Sequence, residues 1–260
     1  MEARNMNLNA MIFAAGVGSR LKPYTDTTPK ALVKVGGHTL LEIALKKMAG
    51  LGIKRVVINV HHFADQIKDF LYDYASPGME ILLSDESSQL LDTGGGLLNA
   101  MDLFEHNADI LLYNVDIITN APLHSLIEEH NRNSSLATLL IQDRKASRYL
   151  LFDDNMQLCG WHNPSTGDEV RVEGRDAAGK AYGFGGIQVV RNEIIGQLRT
   201  DQACFPIIPE YLRLAANHKI TGWQIDKKNI WFDIGSPEKL RKAEEFFHNN
   251  TADIVETILK

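Results

Sequence analysis

Read for hydrophobic periodicity, the first half of the chain alternates short apolar runs with stretches of helical spacing. Residues 8–14 form an apolar run that ends in a glycine-rich turn. Leu41, Ala44, Leu45 and Met48 recur at helical spacing, and Gly50 and Gly52 close that helix. Residues 55–60 carry Val56, Val57, Ile58 and Val60 and predict a buried strand; Ile67, Phe70, Leu71 and Tyr74 mark the face of the next helix. The same pattern predicts strands over 79–83, 109–114 and 136–141, and helices over 97–104 and 123–130. Such alternation implies βαβ crossovers, hence an α/β fold with a doubly wound, mostly parallel sheet covered on both faces. Ligands of such sheets bind beyond the carboxyl ends of the strands, so the loops just after strands carry most weight.

The second half is less regular. Runs at 149–152 and 156–161 flank Asp153-Asp154-Asn155 and predict a hairpin. A polar surface excursion over 162–180 leads into 181–190, a strand pair or a bent strand around Gly183, Gly185 and Gly186. A helix over 208–216 and short strands over 221–226 and 229–233 follow. Ser236 caps a last long helix with Pro237 at its first position, running to about residue 248. With no internal repeat or linker, the expected organisation is a single domain over 1–248, with a small β subregion at about 149–190. The tail, 249–260, is either a short amphipathic helix or frayed.

Composition narrows the functional classes. The 260 residues are 44% hydrophobic and 23% charged, ordinary for a globular chain, which sets aside disordered, collagenous and coiled-coil readings. The net charge of −6 gives no basic surplus for nucleic acid or an anionic membrane, so any polyanion must be held by a local site. Two cysteines, Cys159 and Cys204, cannot build a disulfide framework or a cysteine-rich zinc site. Residues 1–9 hold Glu2 and Arg4 and no apolar stretch of a targeting segment, and the apolar runs are strand-sized, so a cytoplasmic protein is expected.

Several loops carry candidate chemistry. After the first strand, Ala14-Ala15-Gly16-Val17-Gly18-Ser19-Arg20 can turn tightly and converge amides on phosphate oxygens, with Arg20 as a charge-assisted donor. The third glycine of a dinucleotide fingerprint and the Gly-Lys-Ser/Thr of a P-loop are missing. Pro29 stiffens the loop before Lys30, which could then face a phosphate. Asp92-Thr93-Gly94-Gly95-Gly96 stands before the predicted helix, where glycines admit a flat base or an anion to backbone amides. Asp116 follows one strand and Asp233 another, a pair that suits Mg2+ if the two meet in space. His61 and His62 have no third zinc ligand at suitable spacing; Trp161, His162 and Trp231 could stack on a sugar or base, or simply pack.

Taken in order, the 14–20 loop, Pro29-Lys30, Thr93-Gly94-Gly95-Gly96, Asp116, Phe184-Gly185-Gly186-Ile187 and Trp231-Phe232-Asp233-Ile234-Gly235 resemble the sugar-1-phosphate nucleotidyltransferases over roughly residues 9–248. The resemblance implies a Rossmann-like nucleotide-sugar transferase fold, a nucleoside triphosphate and a sugar 1-phosphate as partners, Mg2+ as cofactor, and a monomer or homodimer. It implies that Ala14, Ala15, Gly16, Val17, Gly18 and Ser19 hold the nucleotide, with Thr93, Gly94 and Gly95 along the base. Arg20 would grip the β/γ-phosphates and Lys30 would neutralise phosphate near the reacting centre. Asp116 and Asp233 would bind the metal, and Gly186 and Trp231 would face the sugar. Within the family the motifs are most similar to members that transfer uridylyl to N-acetylmuramate 1-phosphate, a step of cell-wall sugar recycling. Guanylyl transfer to mannose 1-phosphate is the alternative, and a non-catalytic nucleotide-sugar-binding regulator is the alternative of a different class. The chain departs from the family pattern at Val115, just before the metal aspartate, at Ser87, which bears on the base, and over 159–163, which bears on the sugar phosphate.

Overall fold

The computed structural model describes residues 7–74, 77–175, 179–199 and 201–259. The segment read for a targeting signal and part of the polar excursion (176–178) lie largely or wholly outside them. In chain order the elements are β1 Leu8–Phe13, β2 Lys34–Val35, β3 His38–Thr39, α1 Leu40–Gly50, β4 Arg55–Val60, α2 Ala64–Asp73, β5 Glu80–Asp85 and α3 Asp92–Asn99. There follow β6 Asp109–Asn114, β7 Ile117–Thr119, α4 Leu123–Asn133, β8 Ala137–Gln142, β9 Tyr149–Phe152, β10 Leu158–His162, β11 Glu169–Arg171 and β12 Lys180–Val190. The chain closes with α5 Ile207–Leu214, β13 Ile220–Gln224, β14 Trp231–Asp233, α6 Pro237–Asn249 and α7 Ala252–Leu259.

Ten strands form one sheet in the order β11-β10-β9-β12-β6-β1-β4-β5, with β8 beside β12 and β13 beside β8. Its centre, β6-β1-β4-β5, is parallel. The antiparallel pairings gather on β12 and the β9–β11 extension. The central strands read as continuous apolar runs because successive side chains enter opposite faces. Ala10 and Ile12 pack on the face holding α1, α2, α4, α6 and α7, whereas Met11 and Phe13 pack on the face that includes α3 and α5. α7 is ordered against α1: Ile258 is buried in the same core, and Asn120 Nδ2 donates to Thr257 Oγ1 (3.5 Å).

Two departures from the expected elements matter for the site. Gly94, Gly95 and Gly96 lie inside α3 rather than before it. They hold a helical conformation because neighbouring segments pack directly on the backbone there, which compensates for glycine's poor helix propensity. The second is the three-residue β7, which pairs antiparallel with β14 in a separate ladder: Trp231 faces Thr119 and Asp233 faces Ile117. Ser236 does cap α6, its Oγ accepting from Lys239 N–H (3.4 Å), with Pro237 in the first turn. Among the described residues no helix is long and apolar enough to cross a membrane.

Candidate active site

The register of the parallel core brings three loops to one edge. Phe13 is level with Asn59 of β4 and with Asn114 of β6, so the segments leaving β1, β4 and β6 start side by side. Asn59 is buried, and its Oδ1 accepts from Ala14 N–H (2.7 Å) and Ala15 N–H (3.3 Å). Its Nδ2 donates to Glu86 Oε1 (2.7 Å), while Glu86 Oε2 accepts from Leu91 N–H (3.1 Å). Burial raises the Glu86 carboxyl above the usual carboxylate range, with the Asn59 hydrogen bond opposing that rise. One asparagine and one glutamate therefore tie the loop after β1 to the segment that starts α3.

This tie changes which amides can meet an anion. Those of Ala14 and Ala15 are committed to Asn59, whereas Val17 is exposed and a Cβ on Gly16 would meet nothing within 4 Å. Gly18 turns the loop at φ +67°, a conformation costly for other residues, and its carbonyl accepts from Leu21 N–H (2.8 Å) and Thr25 Oγ1 (2.9 Å). A Cβ there would stand 3.1 Å from Lys30 Cβ, so the glycine loop and the lysine loop are packed together.

Lys30 Nζ is ion-paired with the Asp116 carboxylate, both side chains largely buried. Asp233 is ion-paired with Lys239 of α6 (2.6 Å). The β7–β14 ladder brings the two aspartates together across 117 residues of sequence, and Ile234 N–H donates to the Asp116 carbonyl (2.9 Å). Arg20 reaches the same place: its Nη2 is 3.5 Å from where a Gly235 Cβ would stand. Two carboxylates at strand ends are hard oxygen donors, and among the described residues no group of three or more His, Cys, Asp or Glu could hold a metal by itself. That donor set fits Mg2+, which keeps waters and takes remaining ligands from substrate phosphates. The paired lysines balance the carboxylate charge in the free protein.

The glycines of α3 are spoken for. Gly94 N–H and Gly95 N–H both donate to the Phe205 carbonyl (2.9 and 3.2 Å), and Thr93 Oγ1 accepts from Ile207 N–H (3.0 Å). A Cβ on Gly94 would run into the Phe205 ring, one on Gly95 into the Ala203 carbonyl, and one on Gly96 would come within 2.7 Å of Glu86 Oε1. The expectation that Gly94 and Gly95 offer free amides to a base or anion is thus corrected: the close approach that needs glycine is to protein. Asp92, in the left-handed region at φ 61°, accepts from Thr93 N–H (2.6 Å).

Beyond Asp233 the edge opens into a cleft of about 1040 Å3, lined among others by Arg20, Arg144, Tyr149, Trp161, Trp231 and Lys239. Trp231 Nε1 donates to the Gly185 carbonyl (3.0 Å), and the Arg144 guanidinium lies 4.5 Å from the centre of its ring. One face of the indole is therefore covered by a cation, not open to a sugar. Gly186 is buried at φ +78° against Ile117 and Asn114, so its lack of a side chain serves the packing beside Asp116. His61 Nδ1 is hydrogen-bonded to the Glu86 carbonyl (2.6 Å), the His62 ring lies tilted against that of Phe63, and His162 Nδ1 is 3.9 Å from Glu169.

Asn59, Glu86, Lys239 and Arg144 were not singled out from the sequence. A signal existed for Asn59, a polar side chain inside the run Val-Val-Ile-Asn-Val, which in a buried strand must find partners. Lys239 and Arg144 are single cations whose significance depends on long-range pairing.

The family model described as "Nucleotidyl transferase" matches residues 9–151. N-acetylmuramate alpha-1-phosphate uridylyltransferase of Caulobacter vibrioides is 28% identical over 90% of this chain and 95% of its own length. The protein of that name from Neisseria meningitidis is 27% identical over 91% and 97%. Among solved structures, UDP-glucose pyrophosphorylase from Acinetobacter baumannii superposes with a TM-score of 0.77 at 14% identity, covering 98% of this chain and 99% of that one.

Proposed function

Since the chain belongs to the nucleotidyl transferase family, we propose that it is a Mg2+-dependent enzyme that joins UTP and N-acetylmuramate 1-phosphate, forming the UDP-sugar and pyrophosphate. The observation that carries this reading is the gathering of Arg20, Lys30, Lys239, Asp116 and Asp233 at one strand edge by the β7–β14 ladder. Full-length similarity to two uridylyltransferases favours the substrate pair.

In the reaction a phosphate oxygen of the sugar 1-phosphate attacks the α-phosphorus of the nucleotide in line. The bond from the α-phosphorus to the bridging oxygen breaks, and pyrophosphate leaves with its electron pair. A phosphate monoester dianion is already nucleophilic at neutral pH, so no side chain has to remove a proton. The protein's task is to hold two polyanions in reacting geometry and offset their repulsion. The Gly16–Gly18 backbone and Arg20 receive the triphosphate, and Lys30 neutralises charge near the reacting phosphorus. Asp116 and Asp233 would hold Mg2+, which when bound neutralises phosphate charge and orients the leaving pyrophosphate. The chain acts in the cytoplasm as a monomer or homodimer.

Pyrophosphate release over a matrix of nucleoside triphosphates and sugar 1-phosphates, with and without a chelator, tests this. Turnover confined to UTP with N-acetylmuramate 1-phosphate and lost on chelation is expected. Turnover with GTP and mannose 1-phosphate instead would replace the substrate assignment. No turnover with any pair would overturn the enzymatic reading in favour of a nucleotide-sugar-binding regulator.

A further inference from the structure

The cation that stands over Trp231 is Arg144. Arg144 follows β8, which is antiparallel to β12, itself antiparallel to β6. Two antiparallel steps make β8 parallel to β6, so Arg144 leaves the sheet on the same edge as Asp116 and the glycine loop. Along that edge the order is β4, β1, β6, β12, β8. Asn59 and the 14–20 loop occupy the β4–β1 end, the aspartates the middle, and Arg144 the far end.

The guanidinium is held on several sides. Its Nη2 donates to the Phe184 carbonyl (2.9 Å) and its Nη1 to the Lys145 carbonyl (3.2 Å). The indole of Trp231 supports its face, and that indole is itself fixed to the Gly185 carbonyl. A Cβ on Gly183 would stand 3.1 Å from both Cζ and Nε, so the guanidinium packs where only glycine leaves room. The adjacent Asp143 is tied down by Lys227 (2.6 Å). Among the described residues Nε is buried without a hydrogen-bond partner, and no carboxylate forms an ion pair with Arg144. The Asp233 charge offsets the burial of this guanidinium only in part; a half-buried arginine is costly unless an anion completes it, and a planar fork fits a phosphate. Trp231 and Asp233 bracket the three residues of β14, and the guanidinium feels the Asp233 charge, which sets this cation beside the candidate metal pair.

We propose that Arg144, presented on the Trp231 ring, binds the phosphate of the acceptor sugar, while Arg20 and Lys30 serve the nucleotide. This rests on the proposed nucleotidyl transfer. It assigns Trp231 to supporting the arginine rather than to stacking on the sugar.

The test is Arg144→Met and Arg144→Lys, with Gly183→Ala as an indirect probe that leaves the arginine in place. Turnover kinetics are read together with calorimetric titrations of N-acetylmuramate 1-phosphate and, separately, of UTP, and urea unfolding verifies that each variant is folded. Loss of a charge-assisted contact predicts an acceptor KM and Kd raised about 30- to 100-fold in Arg144→Met. The UTP constants should stay within about twofold. Arg144→Lys and Gly183→Ala are expected in between, since one keeps charge without the fork and the other displaces the fork. Unchanged acceptor binding in folded Arg144→Met, or an equal loss for UTP, overturns the assignment while leaving the reaction standing. A wild-type protein that neither turns over nor binds either sugar phosphate overturns both. Should Arg144→Met fail to fold, Gly183→Ala with unaltered acceptor constants overturns it equally.

Discussion

Replacing Asn59 by alanine removes three hydrogen bonds that lie under the candidate nucleotide site. Two are neutral, from Ala14 N–H (2.7 Å) and Ala15 N–H (3.3 Å), and one joins Nδ2 to the buried Glu86 carboxylate (2.7 Å). A neutral bond contributes about 1 kcal/mol and the longer one about half of that, while a bond to a charged group contributes roughly 1.5–3 kcal/mol. Their sum is about 4 kcal/mol, a large part of the ~5–15 kcal/mol that holds an ordinary domain folded. Urea unfolding at pH 7.5 should show that loss as a lower midpoint with an unchanged slope. The residual folded enzyme should show a raised UTP KM, because the loop after β1 has lost its anchor. Asn59→Asp is the sharper comparison. It keeps the acceptor for the loop but sets a second carboxylate against Glu86, whose own pKa burial already raises. The pair then stabilises best when sharing one proton, so this variant should gain stability as pH falls from 8 to 5.5. A loss under about 1 kcal/mol in Asn59→Ala, or no such gain in Asn59→Asp, refutes the reasoning.

Asp116→Ala and Asp233→Ala are each expected to abolish Mg2+-dependent turnover while circular dichroism shows a folded protein; either variant retaining full activity would remove that aspartate from the metal site. Gly95→Ala forces a methyl group onto the Ala203 carbonyl and should cost about 3 kcal/mol, read as a melting midpoint lowered by roughly 10 °C. His130 is fully buried, hydrogen-bonded to Thr138 Oγ1 (2.9 Å), with Asp109 3.7 Å away and the Arg191 charge nearby. Burial first, and Arg191 second, pull its pKa down to about 4. The unfolded chain therefore binds the proton first, and stability falls as pH drops from about 6.5 towards 4, by about 3 kcal/mol if fully expressed. His130→Gln should flatten that stretch of the stability–pH curve, and an unchanged curve would assign the proton to another group.

The parallel core was legible because its strands are buried on both faces and bounded by glycines. The predicted limits of β4, β6 and β9 coincide with the observed ones. Local chemistry also located the cap at Ser236 and the bend in β12. What could not be read was pairing at a distance. Ile117–Thr119 is too short to announce a strand, yet its ladder with β14 is what makes Asp116 and Asp233 neighbours. The triple glycine looked like a ligand loop because glycine permits close approach, and local sequence does not say to what. The close neighbours proved to be Phe205, Ala203 and Glu86. Arg144 carried no local signal, since its setting is assembled from residues 183–185 and 231.

The three-residue ladder of β7 with β14 also sets an order of events during synthesis. A nascent chain that has cleared the ribosome to about residue 150 holds β1, β4, β5 and β6 and can lay down the parallel core. It already carries the glycine loop, Lys30 and Asp116, but lacks the carboxylate at 233 and its companion Lys239. Until β14 emerges and pairs, one of the two candidate metal carboxylates is in place, ion-paired with Lys30. On the proposed function, activity therefore waits for residues 231–239, and the chain before them carries the candidate nucleotide loops without the second carboxylate.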